Sequence, residues 1–76
     1  MKIENKIKQL REQNGYTQQD LAEKVTVSRQ TIISLESGRY NPSIILAYKI
    51  AKVFNLAIED VFEFDKENYK WISRNI

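Results

Sequence analysis

The chain contains no cysteine and no histidine among its 76 residues. Without cysteine there is no disulfide frame and no thiolate metal site, and this fits a cytoplasmic protein. Without histidine the usual general base and the commonest metal ligand are gone. No stretch is long and apolar enough for a signal peptide or a membrane span, so no membrane role is expected. A glycine-rich phosphate loop, an internal repeat, a low-complexity run and a linker are all missing, and the carboxylates are scattered over helical surfaces. The sequence therefore offers no centre for an enzyme, no metal site and no cofactor. Charge of one sign is also scarce: the formal net charge is only +2. Positive groups must then be well positioned to matter to a polyanion. A chain of this length makes one domain with a thin core, for which dimerisation is a natural source of added stability.

What is present centres on Gln18 to Ser37, QQDLAEKVTVSRQTIISLES. Its apolar residues Leu21, Ala22, Val25, Val27, Ile32 and Leu35 fall at helical intervals of three and four. They predict one helix over Gln18–Lys24 and a second over Arg29–Ser37, each burying one stripe. The small Ala22 stands where the second helix must pass close to the first. Thr17 with Asp20 approximates a capping box for the first helix, and Ser28 is a good N-cap for the second. Val27 and Ile32 flank that cap as a hydrophobic staple, which fixes the entry angle. This is the pattern of a helix-turn-helix, whose second helix is carried outward for the DNA major groove. Turning about 100° per residue from Ile32 and Leu35 places Gln30, Ile33, Ser34 and Ser37 on the outer arc, with Arg29 at its flank and Glu36 near the buried stripe. Arg can bond guanine O6 and N7, Gln can bond adenine N6 and N7, and Ile33 can touch a thymine methyl. A solvated surface helix would carry similar residues.

The remaining chain reads as further short helices. Glu4–Asn14 predicts helix one, with Ile7 and Leu10 inward, Ile3 one turn earlier and Gly15 as a left-handed stop. Lys2, Lys6, Lys8 and Arg11 make this the most basic segment, which could form a phosphate-facing edge, although most of these lysines read as a solvated face. Gly38 ends the recognition helix and Pro42, the only proline, blocks continuation. Ser43 caps helix four, predicted over Ile44–Phe54, and a short helix five follows over Ile58–Phe62. The loop residues Arg39, Tyr40 and Asn41 and the N–H groups at Ser43 suit a phosphate, although an ordinary capped turn would use the same residues. Phe62 and Phe64 alternate with acidic residues, as a strand would. Tyr69, Trp71, Ile72 and Ile76 are too apolar for a plain disordered tail.

The segments KIKQLREQNGYTQQDLAEKV, VSRQTIISLESGRYNPS and LAYKIAKVFNLAIEDVF, together spanning Ile7 to Phe62, resemble the Cro/cI-type helix-turn-helix family, also called the xenobiotic response element family. The resemblance implies an all-α, five-helix, lambda-repressor-like DNA-binding domain that acts as a homodimer in sequence-specific transcription control. It implies base reading by Arg29, Gln30, Ile33 and Ser34, phosphate contacts from Gln18, Ser28, Arg39, Tyr40, Asn41 and Ser43, and a structural ion pair between Arg11 and Glu36. Some compact members join their termini in a two-stranded sheet, which here would pair Met1–Ile3 with Glu63–Asp65. Two positions depart from the family pattern: Thr26 stands where glycine is frequent, and Ala57 where a capping residue is usual. The expected organisation is a DNA-binding domain over 1–64 and a tail over 65–76. Dimerisation is expected through helix five, the loop before it and the tail. The partners implied are a palindromic double-stranded DNA operator, a second copy and an unknown effector or protein. The alternative is an antitoxin or protein-interaction adaptor that uses the aromatic tail.

Overall fold

Local capping chemistry sets where the helices begin. The computed structural model describes residues 3–64, and the expectations for the tail 65–76 and for Met1 lie outside them. Thr17 opens α2 (Gln18–Val25) with a full capping box: its N–H donates to Asp20 Oδ2 at 2.8 Å, and the Asp20 N–H donates back to Thr17 Oγ1 at 3.0 Å. The Thr17 backbone N–H, donating to the carboxylate, holds the Asp20 carboxyl below its ordinary value of 3.8. Ser28 opens α3 (Arg29–Glu36), its Oγ accepting from the Thr31 N–H at 3.2 Å. Ser43 opens α4 (Ile44–Val53), accepting from the Leu46 N–H at 3.1 Å. Before α5 (Ile58–Val61) stands Ala57, which has no side chain to cap with; its own N–H instead donates to Asp60 Oδ2 at 3.0 Å.

The helix ends share one device. Gly15, Thr26, Gly38 and Asn55 all have positive φ, at 73°, 63°, 78° and 56°. In each case the next N–H reaches back five residues along the chain: Tyr16 to Arg11 O, Val27 to Ala22 O, Arg39 to Ser34 O and Leu56 to Ala51 O, all at 2.9–3.0 Å. This is the Schellman arrangement, which satisfies carbonyls that a helix end leaves open. Glycine fills it without steric cost and asparagine at little cost, but Thr26 is β-branched and strained there.

The chain start differs from the sequence expectation. Helix one does not begin at Glu4. Ile3–Asn5 is a strand, β1, and α1 runs only over Ile7–Gln13. β1 pairs antiparallel with β2 (Phe62–Phe64), in the register Ile3–Phe64, Glu4–Glu63, Asn5–Phe62. The sheet therefore exists, shifted from the expected Met1–Ile3 and Glu63–Asp65 pairing, and it takes Phe62 out of helix five. The physical reason is Asn5. Its Oδ1 accepts from the Ile7 N–H at 3.1 Å, and its Nδ2 donates to Leu35 O at 2.8 Å. A further bond, Lys6 N–H to Val61 O at 2.8 Å, closes the sheet onto the helices.

Between these elements lies a core of Ile7, Leu21, Ala22, Val25, Ile32, Leu35, Leu46, Ala47, Ile50, Ala51, Val61 and Phe62. Each fully buried aliphatic side chain contributes about 1.5–3 kcal/mol. Ala22, fully buried, lets α3 cross close over α2. Leu10 and Phe54 reach this core only at its margin.

Thr26→Gly tests the strained turn. Removing Cβ relieves about 1–2 kcal/mol of left-handed cost, against roughly 0.4–1 kcal/mol of added chain entropy in the unfolded state. Urea denaturation should show the variant more stable by about 0.5–1 kcal/mol. A lower midpoint would mean that the threonine is not strained.

Candidate nucleic-acid interface

The site is built around one buried carboxylate. Glu36, the last residue of α3, has a side chain only 7% exposed. Arg11 of α1 meets it edge-on: Nε donates to Oε2 at 2.8 Å and Nη2 to Oε1 at 3.3 Å. The third guanidinium nitrogen, Nη1, donates to Tyr16 O at 2.9 Å. The hydrogen bonds to Glu36 push the arginine pKa above its ordinary value, outweighing the opposing effect of burial. The expected structural ion pair is thus formed. A further participant was not evident in the sequence: Gln18, the first residue of α2, donates from Nε2 to Glu36 Oε1 at 3.2 Å. One carboxylate therefore joins α1, α2 and α3, and among the described residues no buried side-chain polar atom lacks a partner.

This hub fixes the C-terminal end of α3, and the Ser28 cap fixes its start. Val27 packs against the core before that cap, as a staple requires. Between these anchors α3 spans about 12 Å, the width of a B-DNA major groove. Arg29 and Gln30, at its start, are exposed. Ile33 and Ser34 are half-buried, not fully outward as the helical wheel had them. The Ser34 carbonyl also accepts from the Arg39 N–H and from Ser37 Oγ, which ties the helix to the following loop.

That loop places Arg39, Tyr40 and Asn41 in exposed positions, ending at the exposed cap Ser43. Ser28 is likewise exposed and Gln18 half-buried. The expected phosphate residues therefore sit at the starts of α2, α3 and α4 and on the loop between the last two. These are the places where N–H groups point out of helices.

Comparison with known proteins places this arrangement. A family model described as Helix-turn-helix matches residues 7–61. The chain belongs to the Cro/cI-type helix-turn-helix family. A relative from Archaeoglobus fulgidus, an uncharacterized HTH-type transcriptional regulator, is 55% identical over 65 residues, covering 86% of this chain and 93% of its own length. YgzD of Bacillus subtilis, also an uncharacterized HTH-type transcriptional regulator, is 48% identical over 66 residues, 87% of this chain and all of its own. Among solved structures, the master regulator for biofilm formation SinR, in complex with DNA, superposes with a TM-score of 0.65 at 34% identity, covering 71% of this chain and 87% of that one. As a member of this family the chain is a DNA-binding transcriptional regulator, and the helix pair α2–α3 is its helix-turn-helix. Among the described residues no helix is long and apolar enough to cross a membrane.

Two residues of the helix-turn-helix frame escaped sequence reasoning. Asn5 locks β1 to the end of α3, and its signal was an asparagine two residues before Ile7, the first inward position, to whose N–H its side chain bonds. The Gln18 amide reaches across to another helix, and no local pattern reports such a bond.

A double-mutant cycle tests the hub. Arg11→Met should lower the unfolding free energy by about 3–5 kcal/mol, because it strands a buried carboxylate. Adding Glu36→Met should restore at least half of that loss, since the unpaired charge is then gone. Simple additivity of the two substitutions would show that the groups do not act as a pair.

Proposed function

We propose that the protein represses transcription from the cytoplasm by binding a palindromic operator as a homodimer, with α3 of each copy in successive major grooves about 34 Å apart. The observation that carries this reading is the start of α3. Arg29 and Gln30 are exposed there, on a helix anchored at both ends by the Ser28 cap and by Glu36. Their side chains carry the donors and acceptors that distinguish guanine and adenine edges. Ile33 and Ser34 complete the reading surface one turn later, where Ile33 meets a thymine methyl.

Gln18, Ser28, Arg39, Tyr40, Asn41 and Ser43 hold the phosphates and set the register. The chemistry of each fits. Ser43 accepts a helix N–H through its oxygen, which leaves its hydroxyl proton to donate outward, while the Ser28 hydroxyl also shares a hydrogen bond with Thr31 Oγ1 at 3.0 Å. Gln18 uses one amide N–H on Glu36 and has a second for a phosphate oxygen. Arg39 supplies the cation. Occupied operator DNA excludes RNA polymerase, which is the repression step.

Variants separate base reading from phosphate binding. Gln30→Ala should cost about 1–3 kcal/mol on the preferred duplex and relax base preference at one position. Arg39→Ala should weaken all duplexes alike and reduce the salt slope by about one. A changed base preference with an unchanged salt slope in Arg39→Ala would overturn the phosphate assignment.

A further inference from the structure

Asn5 stands in β1, yet its side chain ends on the backbone of α3. It is half-buried, with Nδ2 donating to Leu35 O at 2.8 Å and Oδ1 accepting from the Ile7 N–H at 3.1 Å. Turning the amide over would set donor against donor and acceptor against acceptor, so these two partners fix its orientation. The Leu35 carbonyl does not need this bond for satisfaction, because it already accepts from the Gly38 N–H at 3.1 Å. The contact with Asn5 therefore adds position rather than a missing partner.

The place it grips matters. Glu36, the next residue, is tied to Arg11 of α1 through a flexible side chain, whereas Asn5 holds the main chain of α3 itself. Two consecutive residues are thus bound to two different elements. A single tie leaves a pivot, and the apolar stripe beneath α3 resists rolling only weakly, because apolar burial is non-directional. The second tie fixes the roll. β1 is a firm base for it: the strand pairs with β2, the Lys6 N–H donates to Val61 O at 2.8 Å, and Lys6 Nζ lies 3.6 Å from Glu63 Oε1. Side-chain tips lie about 5–6 Å from a helix axis, so a roll of about 10° carries the tips of Arg29 and Gln30 by about 1 Å. An N–H···O bond holds over a range of only about 0.5 Å. Attraction to phosphates is electrostatic and tolerates such a shift.

We propose that Asn5 is a positioning residue for base reading: through the Leu35 carbonyl it sets the roll of α3, and with it how Arg29 and Gln30 meet the base edges. The inference rests on the reading of α3 as the base-contacting helix. It ties sequence discrimination to the small sheet, which itself supplies no base contact.

Asn5→Ser and the isosteric Asn5→Asp test it. Both keep an oxygen for the Ile7 N–H and lose the donor to Leu35. With helical circular dichroism unchanged, each variant should bind the preferred duplex about 10-fold or more weaker than the wild type. Affinity for an unrelated duplex and the salt slope should stay within about 2-fold, since the phosphate contacts remain. Equal weakening on both duplexes, which a merely structural role would give, or unchanged discrimination in both variants, would overturn the assignment. Residual dipolar couplings of the α3 amides in the free protein, read against those of α2 and α4, give a readout that needs no DNA. They should report a changed α3 orientation in the variants, and couplings that still fit the wild-type orientation would overturn the positioning role. If α3 reorients but the wild type prefers no duplex over random DNA, Asn5 still sets the helix and the base-reading assignment falls.

Discussion

The buried carboxylate of Glu36 is the constraint on which the rest of the molecule depends. A charge only 7% exposed must be paired and hydrogen-bonded or it destabilises the fold by several kcal/mol. Arg11 answers with two hydrogen bonds and Gln18 with a third, and the two come from different helices. An apolar cluster at the same place would tolerate sliding between α1, α2 and α3. The directional bonds to Glu36 do not, because each distance and angle must hold at once. The pair therefore contributes less as stabilisation than as a specification of how three helices meet.

That specification reaches the proposed DNA-facing side through short, stiff connections. α3 is held by Glu36 at one end and by the Ser28 cap at the other, and Asn5 adds a bond to the Leu35 carbonyl beside the hub. The Schellman turn at Gly38 then returns Arg39 to Ser34, so the loop carrying Arg39, Tyr40 and Asn41 leaves α3 in a fixed direction. Ser43 converts the end of that loop into the start of α4. Residues far apart in the chain thus arrive on one surface without any long flexible segment between them. The same economy leaves α4 apolar both on its inward stripe and at the exposed Ile44, Ile45 and Tyr48.

How much of this was legible follows from the range of each interaction. Capping is local, so Thr17, Asp20, Ser28 and Ser43 announced α2, α3 and α4 to within a residue or two. The inward stripes were equally readable, because Leu21, Val25, Ile32 and Leu35 recur at helical spacing. The pairing of Arg11 with Glu36 came from family resemblance, supported by the wheel position of Glu36. Asn5 was misplaced in a helix because its bonds go to Leu35, thirty residues away, and to a strand partner near the end of the described chain. The shifted register and the shortened helix one follow from that single residue. Ile33 and Ser34 came out half-buried because a wheel treats a helix as isolated, whereas burial depends on everything packed around it. The bond from Gln18 to Glu36 needed the relative placement of two helices, which no periodicity contains.

Selection from a pool of random-sequence duplexes over several rounds, repeated at two salt concentrations, tests the central claim most directly. The account predicts enrichment of a palindrome whose half-sites lie about one helical turn apart, roughly 10 base pairs, at both salt levels. Weak binding that vanishes at the higher salt, with no sequence enriched, would contradict it, because the charge pattern would then supply only non-specific attraction to the DNA backbone.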